Sequence, residues 1–239
     1  MQCVILAGGL GTRMAGVAGD LPKALIPVNG VPFAAHQLDR LAKEGITDVV
    51  YSIGHRGELI RAFVGDGSAW GLRVEYVEDG PTLLGTAGTI RKGLDEGVVD
   101  SSFLVLYGDS FLTAAYAPVV RAFENSMLPA LITVYRNDDR WDRSNVVFED
   151  GKLRLYDKRP ERRTPQMRYI EYGLSAMTAE ALAGIAPALP ADLGDVFHAL
   201  SVEGRLAAHE VSERFYEIGS PVGLEELRRY LVAKTAPLR

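Results

Sequence analysis

The run Val4-Ile5-Leu6-Ala7-Gly8-Gly9-Leu10-Gly11-Thr12-Arg13, followed by Leu21-Pro22-Lys23, restricts this chain more than any other stretch. An apolar segment of strand character stops at a loop with three glycines and ends on a hydroxyl and a guanidinium. Residues without a Cβ reach φ > 0 cheaply, so their backbone N–H groups can close around an anion. Arg13 adds a rigid fork of donors suited to phosphate, and Lys23 adds a mobile point charge. A strand feeding such a loop predicts an α/β chain that holds a polyphosphate. Two well-known phosphate loops are excluded. The dinucleotide fingerprint G-x-G-x-x-G, started at Gly9, meets Met14 where its third glycine belongs. The Walker loop needs Lys-Ser or Lys-Thr after its glycine, and the only Lys-Thr pair is Lys234-Thr235 in the tail.

Downstream, apolar runs alternate with helical patterns. Pro32 opens a helix through Phe33, Leu38 and Leu41 that closes near Gly45, and Ile46 to Ile53 reads as a buried strand. A short helix from Glu58 to Phe63, a strand from Leu72 to Val77, a helix from Leu84 to Leu94 and a strand from Phe103 to Tyr107 follow. Such alternation implies right-handed βαβ units and a doubly wound, mostly parallel sheet, with ligands beyond the carboxyl ends of its strands. From Ala130 the pattern becomes β-rich: Leu131–Tyr135, Asn145–Phe148, Leu153–Tyr156 and Tyr169–Met177, with a hairpin turn at Glu149-Asp150-Gly151. Helical patterns return at Ala179–Ile185, Asp195–Leu200 and Pro221–Val232. The 239 residues are expected to form one domain, with a nucleotide-binding half to about residue 129 and a β-rich lobe over the sheet's carboxyl edge after it.

Composition narrows the class of function. A net charge of −5 opposes general nucleic-acid binding. The lone Cys3 sits in the first apolar strand as a small buried residue and cannot form an internal disulfide, which fits a reducing compartment. There is neither a basic segment leading into an apolar one at the start nor an apolar run of membrane-spanning length. A cytoplasmic protein with no membrane partner, monomeric or homodimeric, is expected. The four histidines show no metal-ligand spacing, and no G-x-S-x-G elbow presents a serine nucleophile.

Several further stretches carry chemistry. Gly108-Asp109 follows an apolar strand and puts a carboxylate where the sheet opens. Leu84-Gly85-Thr86-Ala87-Gly88 closes a loop and opens a helix; its small residues permit close backbone approach, and Thr86 is also a candidate cap of that helix. The basic run Lys158, Arg159, Arg162, Arg163 and Arg168 reads as a solvated loop, Lys158 excepted.

The succession L-A-G-G-x-G-T-R-M, L-P-K, Leu84 to Gly88, Gly108-Asp109, Asp157-Lys158, Glu171 to Gly173 and Glu217-Ile218-Gly219 resembles the sugar-phosphate nucleotidyltransferases over nearly the whole chain. The resemblance implies a Rossmann-like nucleotidyltransferase fold and the conversion of an NTP and a sugar 1-phosphate into an NDP-sugar and pyrophosphate. It places Leu6, Ala7, Gly8, Gly9, Gly11, Thr12, Arg13, Gly85, Thr86 and Gly108 on the nucleotide. It places Gly88, Lys158, Glu171 and Gly173 on the sugar phosphate, and gives Arg13, Lys23 and Asp109 catalytic roles. Mg²⁺ is the implied cofactor, on Asp109 and Glu217. The family's usual late acid is Asp, so Glu217 ligates either directly or through a water. The short chain and the 84–86 and 217–219 segments are most similar to guanylyltransferases of a heptose 1-phosphate. Guanylyltransferases of mannose 1-phosphate and uridylyltransferases of N-acetylmuramate 1-phosphate follow. A dehydrogenase is disfavoured by the missing glycine. A non-catalytic sugar-nucleotide sensor is disfavoured by the joint presence of Arg13, Lys23, Asp109 and Lys158.

Overall fold

A computed structural model describes residues 1–9, 14, 16 and 19–235. Gly11, Thr12 and Arg13, on which part of the phosphate-loop reading falls, lie outside the described residues.

Strand β1 (Gln2–Leu6) ends where the glycine loop begins. The hairpin β2 (Pro27–Val28) and β3 (Val31–Pro32) leads into helix α1 (Phe33–Lys43), and Pro32 stands just before its first turn. Next come β4 (Asp48–Ile53), α2 (Gly57–Val64), β5 (Arg73–Glu78), α3 (Gly85–Asp95) and β6 (Ser102–Tyr107), in the expected alternation. All four strands are parallel, in the order β5-β4-β1-β6. The chain winds outward from β1 to β5, and α3 then carries it back to β6. The winding therefore reverses between β1 and β6, where loops diverge and a ligand crevice opens. Helices cover both faces, so β1 is apolar from Cys3 to Leu6. Cys3 and Ile5 pack on one side with Leu38 and Leu41 of α1; Val4 packs on the other with Ile90 of α3. Each such side chain contributes about 1.5–3 kcal/mol on burial, and truncating Ile5 to Ala would cost about 2–5 kcal/mol.

The second half comprises β7 (Ser110–Phe111), α4 (Tyr116–Ser126), β8 (Ala130–Arg136), β9 (Val146–Glu149), β10 (Lys152–Tyr156), β11 (Tyr169–Thr178), α5 (Leu193–Val202), β12 (Leu206–Val211), β13 (Tyr216–Glu217) and α6 (Pro221–Thr235). Its β-rich part does not form a separate layer. Strand β11 lies antiparallel between β6 and β8, β12 adds to the far side of β8, and the β9–β10 hairpin joins at Tyr169. The result is one nine-stranded sheet beneath both halves. Asp150 (φ 52°) and Gly151 (φ 72°) both take positive φ in the β9–β10 turn, as a type I′ hairpin requires. The helix expected over Ala179–Ile185 is a single 3₁₀ turn, Ala179–Leu182, cut short ahead of Gly184 and Pro187. Strand β12 was not foreseen, because Leu-Ala-Ala-His-Glu-Val has a single β-branched residue, at its end, and no aromatic one.

One irregularity matters for function. Glu171 of β11 is opposite Val134 and Ser175 is opposite Ile132, so three residues of β11 face the single Thr133. This bulge is held by the Thr133 hydroxyl, which donates to the Leu174 carbonyl at 2.6 Å, and by Gly173 at φ +104°.

Candidate active site

The reversal between β1 and β6 opens a cavity of about 220 Å³. The Gly108 N–H donates to the Leu6 carbonyl at 2.9 Å, and a Cβ on Gly108 would stand 2.6 Å from that oxygen. Only glycine lets the two strand ends approach so closely. Of the expected nucleotide contacts, Leu6, Ala7, Gly8, Gly9, Gly85, Thr86 and Gly108 line this cavity, together with Lys23 and Asp109. Ala24, Ser52, Asp79, Leu83, Thr89 and Tyr107 also line it and were not foreseen.

Gly85 opens α3 at φ +71°, where a Cβ would meet the Ala191 carbonyl at 2.5 Å. Thr86 does not cap its own helix; its hydroxyl accepts the Leu193 N–H at 2.8 Å, at the start of α5. Gly88 lines no described cavity, and a Cβ there would stand 2.7 Å from the Leu189 carbonyl. The place expected to touch sugar phosphate thus serves packing against 189–191. Asp79, just past β5, accepts the Leu84 N–H on Oδ2 at 3.2 Å, while its buried Oδ1 has no partner among the described residues. The sequence signal for it was an acid at the carboxyl end of a parallel strand, the same signal that marked Asp109.

Lys23 begins a 3₁₀ turn (Lys23–Leu25) fixed by the burial of Ala24 and Leu25, and its Nζ donates to Asp109 Oδ2 at 3.1 Å. Glu217 reaches the same place through a separate two-stranded ladder. It pairs with Ser110, and the Ile218 N–H donates to the Asp109 carbonyl at 2.9 Å. A Cβ placed on Gly219 would lie 2.6 Å from Glu217 Oε2 and 3.3 Å from Asp109 Oδ2. The two carboxylate oxygens are therefore no more than 5.9 Å apart. Glu217 also accepts the Gly219 N–H and, at 2.6 Å, the Ser220 hydroxyl.

A second cavity, of about 490 Å³, shares Tyr107 and Asp109 with the first. Glu171 and Gly173 line it, raised there by the bulge of β11. The Glu171 N–H donates to Asn145 Oδ1 at 3.0 Å, and its carboxylate accepts the Gly173 N–H at 2.9 Å. Burial pushes the Glu171 carboxyl up to about 7, against the lowering effects of the Gly173 N–H, the Lys158 charge and the Tyr107 hydroxyl. Lys158 lines neither described cavity. Half exposed, it donates to Asp192 Oδ1 at 2.5 Å, beside Glu171 but turned toward α5.

Among its neighbours Arg162, Arg163 and Arg168 are exposed, as a solvated loop requires, while Arg159 is half-buried. Arg159 clasps Asp157 through Nε at 2.8 Å and Nη2 at 2.5 Å, which holds that carboxyl down at about 2. Arg163 pairs with Asp139, and Arg168 donates to Asp138 at 2.7 Å. Among the described residues no cluster of three or more His, Cys, Asp or Glu is placed to hold a metal, and no helix is long and apolar enough to cross a membrane. Burial pushes the Cys3 thiol up to about 12.

The nucleotidyl transferase family matches residues 2–151. Low-salt glycan biosynthesis nucleotidyltransferase Agl11 of Haloferax volcanii is 26% identical over 239 residues, covering 97% of this chain and 66% of the relative. A D-glycero-α-D-manno-heptose 1-phosphate guanylyltransferase of Campylobacter jejuni is 37% identical over 159 residues, 66% of this chain and 69% of that protein. The chain spans about two thirds of the length of these relatives. The structure of an inositol-1-phosphate CTP transferase from T. maritima superposes with a TM-score of 0.79, over 100% of this chain and 97% of that one, at 19% identity. That likeness shows a shared fold. With the family match running through β1, the cavity at its carboxyl end and Asp109, the chain belongs to the nucleotidyl transferase family, among relatives that are sugar-phosphate nucleotidyltransferases.

Proposed function

We propose that the protein transfers GMP from GTP to a sugar 1-phosphate, releasing pyrophosphate, with a heptose 1-phosphate as the sugar substrate and mannose 1-phosphate as the next candidate. The observation that carries the reaction is the meeting of two cavities at Asp109, which lines both and, on the side of the first, is paired with Lys23. The first cavity, rich in backbone and small residues, suits a nucleotide; the second, rich in acceptors, suits hydroxyls. A sugar-phosphate oxygen forms a bond to the α-phosphorus as the bond from that phosphorus to the bridging oxygen breaks. Pyrophosphate leaves with the electron pair. The attacking oxygen is already ionised, so no protein base is needed, and the protein's task is positioning and charge neutralisation. Lys23 holds phosphate oxygens over the crevice, and Arg13 is assigned to the departing pyrophosphate.

The donor set fits a hard divalent cation such as Mg²⁺, which takes few protein carboxylates and keeps substrate oxygens and waters. Asp109 and Glu217 would hold it, and it would supply further neutralisation of the phosphates. Glu217 would hold it directly or through a water, with its carboxylate oriented by the Gly219 N–H and the Ser220 hydroxyl.

Support for guanine comes from Asp79. It lines the first cavity, and of its two acceptor oxygens the buried Oδ1 has no partner among the described residues. Guanine offers two adjacent donors, N1–H and N2–H₂, whereas uracil and thymine flank one N–H with two carbonyls that a carboxylate repels. Pyrophosphate release measured with each of the four NTPs and heptose 1-phosphate tests the reading. GTP is expected to give the highest kcat/KM, and Asp79→Asn to lower it about 10- to 100-fold, since a buried polar contact is left mismatched. Equal use of UTP and GTP by the unaltered protein would remove guanine, and no pyrophosphate with any pair would remove the transfer reaction.

A further inference from the structure

The second cavity carries a wall that the transfer chemistry leaves unused. Trp141 and Asp142, between β8 and β9, face Arg214, just before β13, and Glu226 of α6. The Arg214 guanidinium carbon stands 3.4 Å from the centre of the Trp141 ring and 4.8 Å from that of Tyr216, and Arg214 is ion-paired with Glu226. Its backbone carbonyl accepts the Thr113 hydroxyl at 2.7 Å, and its buried Nε–H has no partner among the described residues. A guanidinium pinned between rings and a carboxylate is held in one orientation, which is how a polar group is made to select a ligand.

We propose that this wall is a subsite for a neutral, hydroxyl-bearing chain attached to the sugar ring, and that Arg214 and Glu226 select sugar 1-phosphates that carry one. The inference rests on the second cavity being the sugar side of the proposed transfer.

Two observations carry it. The cavity, at about 490 Å³, falls among sites of roughly 300–1,000 Å³ that enclose ligands larger than one hexose ring. At this wall two carboxylates, Asp142 and Glu226, stand with one guanidinium, Arg214. An acidic substituent such as the lactyl group of N-acetylmuramate would face that excess of like charge. An ammonium would be drawn by the acids, yet cannot accept from Arg214. A hydroxyl does both: it accepts from the guanidinium and donates to the Glu226 or Asp142 carboxylate. A ring bearing an extra polyol carbon brings such a hydroxyl; a plain hexose leaves the paired charges less satisfied.

The test is steady-state kinetics with GTP saturating and three sugar 1-phosphates: D-glycero-α-D-manno-heptose, D-mannose and N-acetylmuramate. The unaltered protein is expected to favour the heptose over mannose about tenfold or more in kcat/KM, and to use the acidic sugar least. Arg214→Met and, separately, Glu226→Gln are expected to bring the heptose-to-mannose ratio toward one, through a higher KM for the heptose more than a lower kcat. Trp141→Phe, a milder change, is expected to shift the ratio the same way by less. A ratio unchanged in the variants, or a preference for the acidic sugar, overturns the subsite. If no sugar phosphate turns over, the transfer reading fails, and calorimetric binding of heptose and mannose 1-phosphates to the unaltered protein and Arg214→Met still reads the wall. A heptose preference lost in the variant supports it; equal affinities overturn it.

Discussion

The first cavity is walled largely by backbone and small residues from loops that follow parallel strands, whereas the second is walled by carboxylates, a guanidinium and aromatic rings. Those second-cavity groups come from segments as far apart as Trp141, Glu171 and Glu226. A polyphosphate is the same in every NTP, and backbone N–H groups at a strand end hold it without any particular side chain. A sugar varies in its hydroxyls, and side chains are what distinguish them. Replacing a residue of the first cavity disturbs close backbone approaches such as Gly108 to Leu6, while replacing one of the second alters recognition and spares the framework.

The largest expected effect falls where the two cavities meet. Asp109→Asn removes a charge that both share and loosens the hold on Lys23. The value of kcat is expected to fall by about two to three orders of magnitude, as for loss of a group that acts on transition-state charge, with both substrates affected. Steady-state assays varying each substrate in turn, with circular dichroism to confirm folding, check it. A kcat within tenfold of normal would mean that the cavities do not share chemistry at this residue.

A smaller effect separates them. Glu171→Gln is expected to raise KM for the sugar phosphate about tenfold and leave KM for GTP nearly unchanged; equal changes would place Glu171 on the wrong side. The same substitution carries a stability signature. Burial raises this carboxyl from 4.5 to about 7 in the folded protein, so its contribution to stability is full below about pH 4.5 and is lost as pH rises through 7. Glutamine has no proton to lose. The variant should therefore gain on the unaltered protein by about 2 kcal/mol between pH 5 and pH 8, read by urea unfolding at each pH.

The smallest expected effect tests how firmly the Lys158 segment is anchored. The Arg159 side chain donates to Asp157 and holds its carboxyl at about 2, below the usual 3.8, despite burial. That stabilisation is present above about pH 4 and is lost as pH falls toward 2. Asp157→Asn is expected to flatten the acid limb of the stability curve by about 1–2 kcal/mol, measured by chemical unfolding between pH 6 and pH 3. An unchanged acid limb would show that the clasp does not survive in solution.

The same contrast explains what could be read from the sequence. The parallel half is local: each strand, loop and helix follows the last, so apolar runs and glycines disclosed β1, β4, β5, β6 and the placement of Gly8, Gly108 and Asp109 in one crevice. Glu171 and Gly173 were legible by resemblance, but the bulge that presents them depends on how β11 registers against β8, which no local pattern encodes. Lys158 was likewise legible by resemblance, but its ion pair with Asp192, distant in sequence, was not. Trp141 and Arg214 were missed for the same reason: a ring and a guanidinium on loops carry no signal until the fold gathers them. Asp79 did carry one, an acid at the carboxyl end of a parallel strand.

The unbroken run of nine strands beneath both cavities has a mechanical consequence. Two lobes joined by a linker can swing over a substrate, but a hydrogen-bonded sheet is stiff across its width. Backbone bonds link β5 through β4, β1, β6, β11 and β8 to β12. The spacing between the two cavities is therefore set by a hydrogen-bonded floor and not by a hinge.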